Sequence, residues 1–300
     1  MKTKRWSAGL FIILIFMYNH LGGLAQGETS AKAACIMEME TGRVLFEYNM
    51  HARLPMASTT KVMTALLALE LGNPESRVTC SPRAFGVPAT SIYLAEGETL
   101  TAQFVELMNR RAAELGAVHT HFANPHGLPE DTHVTTAYDL TLIARAAMGN
   151  EAFRQLVSTR RAVIPWEGRA YGRQLKNKNR LLESYSGATG VKTGFTSRAG
   201  RCLVFGASRD GMELVGVLLN CPDWFDEAER LMDGCFESYS MVRVLAPAMS
   251  AGKIAVEGGK QETAGLCAMQ NLRVPLREGE TAQVILDVPE SIRAPGYAGM

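Results

Sequence analysis

An α+β fold is predicted by three features of this 300-residue chain: an early pair of alternating strand-like runs, a middle third with helical spacing, and a late series of β-rich runs closed by a long amphipathic stretch. Residues 33–48 read as a hairpin, with arms 35–40 and 43–48 meeting at Thr41-Gly42, a pair suited to a tight turn. Val62, Met63, Ala65, Leu66, Leu67 and Leu69 then recur on one helical stripe that ends at Gly72-Asn73-Pro74. Residues 104–115, 138–147 and 151–157 predict three further helices. Residues 191–196, 202–207 and 213–219, with Arg209-Asp210-Gly211 as the last turn, predict a three-stranded antiparallel run, and residues 224–244 a long helix. Strands first and last with helices between them imply an antiparallel sheet backed by helices, with an inserted all-helical lobe.

From about Ser250 the composition changes to short β-like runs, 253–256, 272–276 and 282–286, separated by Gly-rich turns. They predict a small β domain over 250–300, incomplete at Met300. At the other end, Lys2, Lys4 and Arg5 precede the apolar run 9–18, and Gly23-Leu24-Ala25 offers small residues for cleavage. That is the layout of a signal peptide over 1–25, too short in its apolar core for a membrane span, although an uncleaved anchor is the alternative. The principal domain is therefore expected over 26–249, exported to the cell envelope or beyond. Three of the 31 Lys and Arg and none of the 30 Asp and Glu lie in 1–25, so cleavage takes the net charge from +1 to −2. Nothing in that balance suggests a nucleic-acid partner. Of the six cysteines, most sit in apolar runs and read as small buried hydrophobes rather than a disulfide framework. No C-x-x-C exists, and the cluster of His119, His121 and His126 reads as a turn before it reads as a metal site.

The chemistry starts from Ser58-Thr59-Thr60-Lys61. On a helix, residues i and i+3 share a face with Cβ atoms about 5–6 Å apart, which puts an amine where it can take the serine proton. Ser58 stands at the start of a strong helix, where backbone N–H groups favour developing negative charge. The same S-x-x-K spacing recurs at Ser250 and Lys253, but there it opens through Gly252 onto a strand, so the pair shares no helical face. Lys192-Thr193-Gly194 supplies a second element: a lysine and a hydroxyl on one edge strand can meet a substrate carboxylate, and Gly194 lets a substrate backbone approach.

These stretches, with Ser91-Ile92-Tyr93-Leu94, Asn124-Pro125-His126-Gly127-Leu128 and Thr136-Ala137-Tyr138-Asp139-Leu140, resemble the serine-type D-alanyl-D-alanine carboxypeptidases. These are low-molecular-weight penicillin-binding proteins with a β-lactamase/transpeptidase-like fold, and the likeness is nearest to their sporulation-associated Gram-positive branch. The resemblance implies that Ser58 is acylated by a peptidoglycan stem peptide ending in D-Ala-D-Ala, with Lys61 as general base. It implies that Lys192 and Thr193 bind the substrate carboxylate, beside Gly194. The N–H groups of Ser58 and Phe195 would form the oxyanion hole. It implies no cofactor and no metal, β-lactams as inhibitors, and an association with the membrane.

The departure from the family is as specific. The resemblance calls for a Ser-x-Asn between the segments 94–101 and 104–109. Here those segments are joined through Ala102-Gln103, and no Ser-x-Asn occurs in the 300 residues. The missing serine would relay protons and the asparagine would orient Lys61 and the substrate. The expected function is therefore a D,D-carboxypeptidase whose turnover is weakened. The alternative is a non-catalytic penicillin- or peptidoglycan-binding homologue. A class A β-lactamase would need a Glu-x-x-x-Asn between Lys61 and Lys192, and none occurs.

Overall fold

Ala33–Glu38 is buried at all six positions, which demands strands on both edges and cover on both faces. In the computed structural model, which describes residues 11–15, 28–72, 99–165 and 170–294, it has both. The described residues fall into two compact units. One spans Gly23–Glu237; the other runs from Ser238 and takes in strand β1 (Phe11–Ile15).

The larger unit is built on a five-stranded antiparallel sheet. Its strands are β2 (Ala33–Glu38), β3 (Val44–Tyr48), β6 (Ala188–Thr196), β7 (Gly200–Arg209) and β8 (Met212–Leu219), in the order β3-β2-β8-β7-β6. The N-terminal hairpin thus joins the late strands by pairing β2 with β8, Ile36 opposite Gly216. Gly216 is required there, because a Cβ would lie 2.4 Å from the Phe205 ring and 3.0 Å from Ile36. β6 is an edge strand, bonded to β7 alone.

Helix α1 (Lys61–Leu71) follows a 3-10 turn over Ala57–Thr60 and buries Val62, Met63, Leu66 and Leu67, the stripe expected from the sequence. It packs on α3 (Ala137–Met148), which lies on β2 and β8. α2 (Thr99–Glu114) precedes α3, and α4 (Glu151–Ser158) follows it and packs on β6. Thr136 and Asn150 cap α3 and α4, each side chain accepting the N–H three residues on, at Asp139 and Phe153. One apolar core joins Ala33, Cys35 and Met37 of β2, Met63 and Leu66 of α1, Leu140 and Ile143 of α3, and Val204, Val215 and Val217 of the late strands.

Several elements were not foreseen in the sequence. A hairpin of β4 (Arg161–Ile164) and β5 (Arg173–Lys176), followed by the single turn α5 (Leu181–Ser184), has no buried side chain in its strands and so no alternating signal. The helix expected over 224–244 is α6 (Trp224–Ser238), and β9 (Ser240–Leu245) replaces its last turns. Met241-Val242-Arg243-Val244 carries two β-branched valines and pairs with β12 (Leu272–Leu276), Val242 opposite Val274.

In the second unit β10 (Ser250–Glu257) bonds both β11 (Thr263–Cys267) and β14 (Ser291–Arg293), and β13 (Gln283–Asp287) pairs with β1. The leader read over 1–25 lies outside the described residues except for β1. Ser250 opens β10 with a bulge at Gly252, so the second S-x-x-K has no helical face to share. Cys35, Cys202, Cys221 and Cys235 are buried free thiols, Cys267 is an exposed one, and Cys80 lies outside the described residues.

Candidate active site

The 3-10 turn Ala57–Thr60 presents Ser58, and several groups hold that turn in an unusual shape. Ala57 is buried with φ +48°, the left-handed region that a non-glycine residue adopts at a cost. The Thr60 hydroxyl donates to Ala57 O at 2.7 Å, and Thr59 does the same to Met56 O. Behind them sits His133, 2% exposed. Its Nδ1 accepts from Ala123 N–H at 3.0 Å, so its proton is on Nε2, which donates to Thr60 Oγ1 at 2.8 Å. Burial first, with His126 and His121 adding to it, lowers its pKa to about 4, so the ring is neutral and its tautomer fixed.

Lys61, one turn after Ser58, places Nζ 3.3 Å from Ser58 Oγ. The same amine donates to His126 O at 2.9 Å, and Ser58 Oγ lies 3.5 Å from that oxygen. Burial lowers the Lys61 pKa below its ordinary value, which favours the neutral amine that a base requires. The sequence pairing of Ser58 with Lys61 is thus realised in space.

Lys192-Thr193-Gly194 arrives on the edge strand β6, which packs on the Ser58 turn. A Cβ at Gly194 would fall 2.9 Å from Ser58 N and 3.0 Å from Thr59 N, so only glycine permits this approach. Phe195, next along the strand, is exposed. Lys192 Nζ donates to Thr193 O at 2.6 Å. Burial, then the nearby charges of Lys61 and Lys178, lower the Lys192 pKa to about 8. Lys192, with Lys61 and Lys178 near enough to lower its pKa, makes this side of β6 electropositive and suited to a carboxylate ligand. Thr193 and Phe195 alternate with Lys192 and Gly194 along the strand, so the two pairs point to opposite faces.

A turn at residues 124–128 closes the opposite side, and its contacts were not legible in the sequence. Gly127, at φ +89°, sits so close that a Cβ would lie 2.0 Å from Ala57 O and 2.8 Å from Ser58 N. Arg198, just beyond β6, pairs with Asp131 in the following loop at 2.7 Å. Among the described residues no group of His, Cys, Asp and Glu is arranged to hold a metal ion.

The model of the D-alanyl-D-alanine carboxypeptidase family matches this chain in two stretches, residues 23–102 and 90–223. They meet in the segment where the Ser-x-Asn was expected. The D-alanyl-D-alanine carboxypeptidase DacF of Bacillus subtilis is 28% identical over 308 residues, covering 90% of this chain and 79% of that protein. DacB2 of Mycobacterium tuberculosis, another D-alanyl-D-alanine carboxypeptidase, is 31% identical over 242 residues, covering 69% and 82%. Among solved structures, a D-alanyl-D-alanine carboxypeptidase of Mycobacterium tuberculosis superposes with a TM-score of 0.65 at 28% identity, over 72% of this chain and 95% of that one.

Proposed function

This chain belongs to the family of D-alanyl-D-alanine carboxypeptidases, serine hydrolases of the cell wall, and from that premise we propose that it cleaves stem peptides through an acyl-enzyme on Ser58. The observation that carries the proposal is the Lys61 amine, partly desolvated and 3.3 Å from Ser58 Oγ. Lys61 takes the hydroxyl proton as Ser58 Oγ attacks the carbonyl carbon of the penultimate D-Ala. The C–N bond then breaks, the leaving D-Ala takes a proton on nitrogen, and water hydrolyses the ester to free Ser58. The N–H groups of Ser58 and Phe195 hold the oxyanion, and Gly194 keeps their strand and turn close enough to do so together. Lys192 and Thr193 bind the terminal carboxylate along the open edge of β6, which side chains from both faces of the strand can reach. No step calls for a metal or cofactor. β-Lactams acylate the same serine.

The missing Ser-x-Asn bears on turnover more than on acylation. The nucleophile, the base and the oxyanion N–H groups are all present, whereas the lost serine and asparagine served proton relay and orientation. Loss of one well-placed polar group from such a site costs about 10²–10³ in rate, and the family match divides into two stretches that overlap at residues 90–102, next to the place where the motif is missing. A non-catalytic penicillin-binding homologue is the reading at the limit of that loss.

The leader over 1–25 supports export, and membrane association is part of the same proposal. Among the described residues no helix is long and apolar enough to cross a membrane.

A time course with a labelled penicillin, run beside D-Ala release from diacetyl-Lys-D-Ala-D-Ala, tests the reading. Stable labelling with slow release is expected. Labelling without any release indicates the non-catalytic homologue, and no labelling at all refutes the proposal.

A further inference from the structure

Lys61 and Thr64 stand one turn apart on α1 and grip two consecutive carbonyls of the opposing turn. Lys61 Nζ donates to His126 O at 2.9 Å, and Thr64 Oγ1 donates to Pro125 O at 2.7 Å. The turn is stiffened from within by Asn124, which is 5% exposed. Its Oδ1 accepts Gly127 N–H at 2.8 Å, while its Nδ2 donates to Leu128 O at 3.0 Å and to Glu130 Oε1 at 3.3 Å. Gly127 brings the turn directly against the backbone of Ala57 and Ser58.

We infer that the turn at residues 124–128 orients the Lys61 amine for proton transfer, and that Thr64 and Asn124 are positioning residues of the reaction. This rests on the reading of Ser58 and Lys61 given above. A neutral amine has two N–H bonds and one lone pair. A carbonyl can only accept, so His126 O engages an N–H and never competes for the lone pair, which is left free for the Ser58 hydroxyl at 3.3 Å. The same oxygen lies 3.5 Å from Ser58 Oγ and so also offers that hydroxyl a resting acceptor. Orientation of Lys61 is the task the resemblance assigns to the missing asparagine. Here a backbone atom, fixed by Thr64 on one side and Asn124 on the other, can perform it.

Thr64→Val keeps shape and volume and deletes only the bond to Pro125 O; Thr64→Ser keeps the hydroxyl and is the rescue variant. Second-order acylation by a fluorescent penicillin is followed across the pH range for wild type, both Thr64 variants, Asn124→Ala and Lys61→Ala. Thr64→Val is expected to slow acylation at the plateau about 10- to 100-fold, the scale of a small misplacement of a reacting group. The acid limb of the profile is expected to move to lower pH, because the carbonyl dipole that favours the ammonium is drawn away from it. Thr64→Ser restores both, and Asn124→Ala moves the limb in the same direction. A merely structural loss lowers the plateau in step with the folded fraction and leaves the limb in place, and that result overturns the inference. Should Thr64→Val not fold, an unmoved limb in Asn124→Ala overturns it equally. Lys61→Ala separates the two claims: acylation at the wild-type rate sinks the catalytic reading itself, whereas its abolition beside unmoved limbs sinks only this inference.

Discussion

Lys192 sits in the larger unit at a cost, and replacing it by methionine makes that cost measurable. In an unfolded chain its ammonium titrates near 10.5; in the fold, burial with the charges of Lys61 and Lys178 brings it to about 8. A lysine whose pKa falls on folding is penalised wherever it is charged. The penalty is fully present below pH 8, and stability rises between about 8 and 10.5 as the folded chain gives up the proton first. The difference is worth at most about 3 kcal/mol, an upper figure because the side chain keeps some contact with water. Lys192→Met also deletes the bond to Thr193 O, which returns about 1 kcal/mol. The net gain at pH 7 is roughly 2 kcal/mol, or a rise of about 4–8 °C in Tm. Acylation by a labelled penicillin should meanwhile fall at least about 100-fold, since the oriented cation for the substrate carboxylate is gone. Differential scanning fluorimetry at pH 7 and near pH 9.5 measures the first effect, with the gain shrinking at the higher pH, and labelling kinetics the second. A Tm that stays level or falls at pH 7, with acylation intact, refutes both the strained ammonium and its role in binding.

Gly194→Ala should leave the fold soluble yet cut acylation at least about 100-fold, because its Cβ must push β6 off Ser58 N, 2.9 Å away; wild-type labelling kinetics would contradict the close approach. His133, neutral in the fold with a pKa of about 4, takes up its proton first in the unfolded chain as pH falls below 6.5, so stability should decline by about 3 kcal/mol between pH 6.5 and 4. Urea melts over that range check it, and His133→Gln should flatten the slope; an equally steep variant points to another titrating group. Inserting a family-type Ser-x-Asn segment between Thr101 and Phe104 should raise D-Ala release at least about 100-fold with a smaller effect on acylation. Equal release by the chain as it stands would make the third motif dispensable.

The larger unit was legible wherever one face was buried. Val62, Met63 and Leu66 mark α1 because its apolar stripe meets the core, and β7 and β8 follow from apolar runs around Asp210-Gly211. The hairpin at 161–176 was silent, since strands exposed on both faces leave no alternation. The end of α6 was misread because Met241–Leu245 satisfies an apolar helical stripe as readily as a strand, and only pairing with Leu272–Leu276 decides between them. At the site, the proximity of Ser58 and Lys61 follows from their i, i+3 spacing, and the close approach at Gly194 from the glycine of Lys192-Thr193-Gly194. The grip of His126 O on Lys61 was not legible, because a carbonyl oxygen has no residue signature. The His133–Thr60 bond joins residues 73 apart and leaves no local pattern either.

The central claim is that Ser58, activated by Lys61, is the nucleophile. It is tested most directly by peptide mapping of the full chain after reaction with a β-lactam. The account predicts a single acyl adduct on the peptide containing Ser58, absent from Lys61→Ala under the same conditions. An adduct on the peptide containing Ser250, or one on Ser58 that forms at the wild-type rate in Lys61→Ala, would contradict it.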